Sequence, residues 1–128
     1  MSEVPQQTKK ELPSLDYIAG LVSSRGNFGW AKKGKRIIPF FQIKIHRSEL
    51  STLKLVKAKL GLREKIYEYC HQNRNYALLL VRKKLVLEQT IIPSFEFRLF
   101  GARQKQFEKW KKRFYRIWLA KLYPEAKI

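Results

Sequence analysis

Residues 18–28 read IAGLVSSRGNF. Ile18, Leu21 and Val22 recur at the spacing of one helix face. Ala19, Gly20, Ser23 and Ser24 are small, so another surface can come close to the helix axis. Just upstream, Ser14 is a natural N-cap, and Asp16 falls in the first turn, where the helix dipole favours a carboxylate. Gly26 reads as a left-handed stop. The pattern predicts a helix from Ser14 to Gly26, with one charged side chain, Arg25, just before its end.

Downstream, NFGWAKK (27–33) predicts a strand, GKR a turn, and IIPFFQIKIHR (37–47) a second strand. Phe41, Ile43 and Ile45 then share one face, and Gln42, Lys44 and His46 the other. SELSTLKLVKAKLG (48–61) predicts a helix capped by Ser48, with Leu50, Leu53, Val56 and Leu60 on its apolar stripe and Gly61 as its stop. KIYEYCH (65–71), a polar QNRN turn and YALLLV (76–81) predict a second hairpin, with Cys70 in the core. RKKLVLEQTII predicts a short helix ending before Pro93, because the residue ahead of a proline is pushed out of the helical region. Pro93 to Gly101 reads as a loop, and from Ala102 a long basic helix carries Phe107, Trp110, Phe114 and Ile117 at helical spacing.

The chain has 128 residues, 45% of them hydrophobic, which is enough for one domain with a real core. Residues 1–13 read as a flexible arm, 14–123 as the domain and 124–128 as a tail. Lys and Arg total 28 against 10 Asp and Glu, a formal charge of +18, and self-repulsion on that scale calls for a polyanionic partner. A single cysteine and two histidines exclude an internal disulfide and any zinc-ligand spacing. No metal or other cofactor is expected, and no apolar run is long enough for membrane insertion.

The helix, hairpin, helix, hairpin, helix, helix order, with IAGLVSSRG at the first helix, resembles the LAGLIDADG family of homing endonucleases and intron maturases. Ala19, Gly20, Leu21 and Gly26 are identical to the family signature, and Ile18 and Val22 are conservative replacements. LKLVKAKLGL (53–62), KIYEY (65–69) and IIPSFEFRLFGARQKQFEKWKK (91–112) extend the likeness over nearly the whole chain. The resemblance implies an α+β, αββαββαα fold, with antiparallel strands forming a saddle and helices on its opposite face. It also implies that Ala19, Gly20, Ser23 and Ser24 form a helix-packing interface, and that single-motif chains pair as homodimers.

The resemblance further implies an acidic residue before the final glycine of the signature, a hard oxygen ligand for the Mg²⁺ of phosphodiester hydrolysis. Arg25 occupies that position, and Ser23 replaces the other acid of the motif. A guanidinium repels Mg²⁺ and attracts phosphate. The expectation is therefore a chain that is not an enzyme, has lost metal chemistry and is kept for binding nucleic acid, RNA favoured over DNA. The alternative is an active homing endonuclease cutting double-stranded DNA as a homodimer.

On a saddle, the faces opposite the apolar ones meet the nucleic acid. The expected binding residues are Arg25 at the helix end, Lys32, Lys33, Lys35 and Arg36 at the first hairpin's tip, and Gln42, Lys44, His46 and Arg47 on and after the second strand. Lys65, Tyr67 and Tyr69 on the third strand join them, with Arg74 in the second turn and Arg103 and Lys105 before and within the last helix. Lysines track phosphates, and exposed tyrosines stack on unpaired bases. Organellar ribosomal or intron RNA is the expected target, and ribosomal proteins are expected neighbours. A mitochondrial or other organellar location is expected from the family's distribution and from a chain that begins at Met1 without a leader.

Overall fold

The Ser14 hydroxyl oxygen accepts the Tyr17 N–H at 3.1 Å, and helix α1 (Leu15–Arg25) follows from that cap. The structure, a computed structural model, describes residues 12–122. Residues 1–11 of the expected arm and the expected tail at 124–128 lie outside the described residues. Gly26 departs from expectation: it is extended (φ −88°, ψ 170°), so α1 passes directly into strand β1 (Gly26–Lys33) without a left-handed residue. Glycine is required there for a different reason. A Cβ would lie 2.5 Å from Val22 Cγ1 and 2.8 Å from the Val22 carbonyl oxygen.

A turn at Gly34, with φ +67°, joins β1 to β2 (Arg36–His46). Ser48 is not the cap of the next helix. A 3-10 turn (Arg47–Glu49) intervenes, and the His46 side chain accepts the Ser48 N–H at 3.1 Å. Helix α2 (Leu50–Leu60) then ends at Gly61, left-handed as expected (φ 67°). The second hairpin, β3 (Ile66–His71) and β4 (Arg74–Val81), turns on only Gln72 and Asn73, so Arg74 and Asn75 lie on a strand instead of in the turn. The four strands form one antiparallel sheet in the order β1-β2-β4-β3.

Helical structure does not stop before Pro93. Residues 84–95 run continuously through α3 (Lys84–Val86), a π turn (Leu87–Ile91) and α4 (Ile92–Phe95). The wide turn carries the Ile92 N–H back to the Leu87 carbonyl, and Pro93, which has no N–H to donate, follows at the start of α4. Helix α5 (Gly101–Leu122) completes the αββαββαα, α+β fold.

The expected strand phase holds on β2: Phe41, Ile43 and Ile45 are buried, whereas Lys44 and His46 are exposed and Gln42 half-buried. The buried face packs with Ile18 and Val22 of α1, Leu53 and Val56 of α2, Ile91 and Phe95, and Phe107, Trp110 and Phe114 of α5. Phe28 centres an aromatic cluster, 5.1 Å from Phe41, 5.0 Å from Phe107 and 5.3 Å from Trp110 between ring centroids. Helix α5 also closes the outer edge of β1. The Phe28 N–H donates to Gln106 Oε1 (2.9 Å), and Trp110 Nε1–H donates to the Gly29 carbonyl (3.0 Å), which leaves fewer free groups for another chain to pair with.

Cys70 is exposed instead of buried. It sits on β3, the opposite edge strand, most of whose residues are exposed on both faces. Glu68 of the same strand is exposed too and pairs with Arg47 at 3.2 Å.

Candidate nucleic-acid interface

Strand alternation puts Gln42, Lys44 and His46 of β2 on the face turned away from the helices, with Tyr76, Leu78 and Leu80 of β4 opposite them in the sheet register. Tyr67 and Tyr69 of β3 pair with Leu78 and Tyr76 and extend the same face. Tyr69 and Tyr76 stack with ring centroids 4.6 Å apart, and Lys44 Nζ lies 4.2 Å from the Tyr76 ring centre. Held over an aromatic face, the ammonium is positioned without a carboxylate to neutralise it.

One end of this face opens into a cleft of about 1010 Å³. Its wall brings Arg25 of α1 together with Lys44, His46 and Arg74 from two strands, four residues singled out from the sequence. The His46 ring is oriented by the turn after β2: Nδ1 accepts the Ser48 N–H (3.1 Å) and lies 2.8 Å from Ser48 Oγ. Nε2 lies 3.4 Å from Asn75 Nδ2 in the cleft wall. Arg25, Lys44 and Arg74 offer three cations, beside the His46 ring and the single carboxylate of Glu49, to one concave surface. That combination suits phosphate oxygens.

The remaining expected contacts are distributed around the sheet. Lys32, Lys33, Lys35 and Arg36 are exposed at the tip of the first hairpin. Lys65 and the two tyrosines line a separate hollow of about 330 Å³ with Leu78, Leu80 and Arg82. Arg47 is occupied by Glu68. Arg103 donates from Nη1 to Gln106 Oε1 (3.0 Å), and Gln106 Nε2 in turn donates to Asn27 Oδ1 (2.9 Å), so Arg103 stands in a polar cluster beside the end of α1. Its Nε is buried and has no hydrogen-bond partner among the described residues. Lys105 lies apart, on the outer surface of α5 with Lys109, Lys112 and Arg113.

The small residues of α1 divide between two faces. Ala19 is fully buried in the chain's own core, and the Ser23 hydroxyl both donates to the Ala19 carbonyl (2.8 Å) and accepts the Phe100 N–H (3.0 Å). Gly20 and Ser24 are exposed, and a Cβ on Gly20 would meet nothing within 4 Å. Tyr17, one turn from Gly20, is 54% exposed, and near the start of α5 Phe97 and Phe100 are 92% and 70% exposed.

A family model described as LAGLIDADG endonuclease matches residues 18–114. The chain belongs to the LAGLIDADG endonuclease family. Among solved structures, the I-LtrWI LAGLIDADG homing endonuclease bound to target DNA matches with a TM-score of 0.72 at 24% identity, over 80% of this chain and 37% of that one. The meganuclease I-SmaMI, bound to uncleaveable DNA, matches at 0.76 and 22%, over 98% and 48%. LAGLIDADG homing endonuclease I-GzeII, in complex with a DNA target, matches at 0.73 and 22%, over 89% and 44%. At these identities the likeness shows the shared fold, and this LAGLIDADG chain spans less than half the length of each. No curated protein sequence matches it.

The expectation of a chain that is not an enzyme is corrected by these matches: the family is one of endonucleases, and the solved relatives of the same fold are homing endonucleases with DNA. Among the described residues, the donors at the end of α1 in this LAGLIDADG chain do not by themselves fit a divalent metal. Ser23, Ser24 and Arg25 end α1, Asp16 stands at its other end 3.3 Å from Arg98, and among the described residues no three His, Cys, Asp or Glu side chains are grouped.

Proposed function

We propose that this chain is a DNA-cutting LAGLIDADG endonuclease unit that pairs through α1 with a second copy of itself. The observation that carries this reading is the cleft in which Arg25 joins Lys44, His46 and Arg74. It extends the open sheet face to the end of α1, so a duplex lying on the sheet has its phosphates gripped next to where two helix ends would meet. The exposed strip of Gly20 and Ser24 is shaped for that meeting. Solved relatives more than twice as long as the match they make with this chain, such as I-LtrWI, are in keeping with a second unit.

The test is a selection from randomised duplexes, followed by cutting assays on supercoiled plasmids carrying the selected site with Mg²⁺. The chain is expected to bind the selected site and, once paired, to cut it. Arg25→Gln is expected to weaken binding uniformly across sequences and to reduce the slope of log affinity against log salt by about 1, as loss of one phosphate contact does. Failure to select any duplex, or a bound site that stays intact with Mg²⁺, overturns the proposal.

A second reading, with RNA as the target, is favoured by the apolar character of the open face. Leu78 and Leu80 lie among Tyr67, Tyr69 and Tyr76, a surface suited to unpaired bases, each stack worth ~1–3 kcal/mol. Competition between the selected duplex and structured organellar RNA, ribosomal or intronic, decides between the two. RNA displacing duplex at equal concentration favours the second.

A further inference from the structure

The carboxyl half of α5 and the β1–β2 hairpin line a cavity of about 350 Å³. Its walls combine Trp30, Phe114 and Trp118 with Pro39 and the aliphatic Ile37, Ile38 and Ile117, and its rim carries Arg36, Arg82, Lys84 and Lys121. The aromatic groups are held in place by the core. Phe114 is buried and stacks on Trp118 at 6.0 Å with ring planes 8° apart, and the Trp30 ring lies 6.3 Å from Trp110, whose indole is fixed to the Gly29 carbonyl. None of the four rim cations has an ion-pair partner among the described residues, all of whose ion pairs lie elsewhere.

Such crowding has a cost that the fold itself does not explain. Lys84 is held below the ordinary lysine range, first by its contact with the Lys121 amine, then by burial, then by the charges of Lys121 and Arg36. Lys84 Nζ also lies 5.8 Å from the Trp118 ring centre, at the boundary between the aromatic wall and the cationic rim. An acidic residue at any of the four positions would relieve the repulsion. The sequence places cations at all of them.

We propose that this cavity binds a nucleotide, its base between the aromatic walls and its phosphate on the Arg36, Arg82, Lys84 and Lys121 rim. The volume is of the size of small-ligand sites, and the two chemistries required, a flat π surface and a dianion, stand side by side. An inorganic anion would leave the indoles unused. An aliphatic acid would pack on Ile37, Ile38 and Ile117 but leave the two indole faces unused. The nucleotide can be free or the end of a strand, and this inference goes beyond the proposed action on DNA, because the cavity is distinct from the cleft containing Arg25.

The full chain is titrated with adenosine 5′-monophosphate, adenosine, inorganic phosphate and a 5′-phosphorylated tetranucleotide, following the indole N–H resonances of Trp30 and Trp118. The monophosphate is expected to saturate both signals, with adenosine and phosphate each weaker by about tenfold or more, as loss of the charge contact or of one stack predicts. The tetranucleotide binding tighter than the monophosphate identifies a strand end as the natural occupant, and weaker binding a free nucleotide. The paired substitutions Lys84→Gln and Lys121→Gln are expected to reduce monophosphate affinity about tenfold while duplex binding at the Arg25 cleft is retained. Trp118→Leu, which keeps an apolar side chain over Phe114, is expected to weaken the monophosphate but not phosphate. Equal affinity for phosphate and the monophosphate, equally strong competition by oligoglutamate, or no saturable shift overturns the proposal.

Discussion

At the scale of single residues, Gly26 shows how a motif letter can be right for a reason that sequence alone does not supply. A glycine closing a helix invites a left-handed reading, yet this one is extended, a conformation open to any residue. What excludes a side chain is the turn of α1 behind it, where both the Val22 side chain and the Val22 carbonyl occupy the space of a Cβ. Because one of those obstacles is backbone, the strain cannot be released by a rotamer change. Gly26→Ala is therefore expected to destabilise the fold by about 1–3 kcal/mol, read as a lower urea midpoint at unchanged slope. Gly29 offers the internal control. A Cβ there meets only the end of the half-buried Phe40 ring, at 2.6 Å from Cζ, so the ring can swing aside and Gly29→Ala is expected to cost less.

At the scale of elements, α5 is tied to the rest of the fold through a small charged cluster. Lys111 bonds to Glu96 after α4 and lies 3.4 Å from Glu108 one turn back. Burial works against the Lys111 charge, but the bond to Glu96 and the charges of Glu96 and Glu108 outweigh it and raise its pKa. A lysine whose folded pKa is raised contributes stability that is fully present below its unfolded value, near 10.5, and is lost as pH rises through the folded value. Tyr115 acts in the same direction: burial, then Glu88 and Glu96, raise its pKa, so the unfolded chain ionises first and stability falls above pH 10. Glu96→Gln is thus expected to cost about 1 kcal/mol at pH 7, discounted for screening by water, and the gap from the unaltered chain is expected to narrow above pH 10.5 in urea titrations.

Elements whose determinants are local were legible in the sequence. Alternation along β2, the Ser14 cap and the Gly61 stop each depend on residues within a few positions, and each is found where expected. Elements decided at a distance were not. The helix running through Pro93 depends on a π turn whose apolar residues, Leu87 and Ile91, are buried in the core, and no propensity scale encodes that. Gln106 read as one polar residue among many, although it spans 78 positions to bond the Phe28 N–H. At the candidate site, the motif position singled out Arg25, strand alternation Lys44 and His46, and the hairpin turn Arg74, each individually. Their convergence in one cleft required the sheet order, because β2 and β4 are neighbours only after α2 has carried the chain across.

At the scale of the whole molecule, the distribution of exposed apolar surface bears on the proposed pairing of two units. Tyr17, Phe97 and Phe100 are exposed large side chains near the two ends of α1, and Gly20 lies between them on the helix surface with open space beyond it. Within one chain that glycine is a defect, since an exposed helix interior favours almost any other residue by about 0.5–1 kcal/mol. Its use must lie in what approaches from outside. A flat strip flanked by aromatics lets a second helix reach the backbone, and on a chain of charge +18 it is one of the few surfaces where a like-charged copy can approach without meeting lysine. Gly20→Lys separates the two roles. The isolated unit is expected to become more stable, by up to about 1 kcal/mol in thermal melts, because the added side chain meets nothing of its own chain. Association is expected to fail, because the lysine fills the strip and places two cations face to face. Sedimentation of the unaltered chain with a selected duplex is expected to give a pair of units on one DNA, and the Gly20→Lys chain a single unit on the same duplex. A Gly20→Lys chain that still pairs, or one that loses its fold, would assign the glycine to the chain's own packing instead.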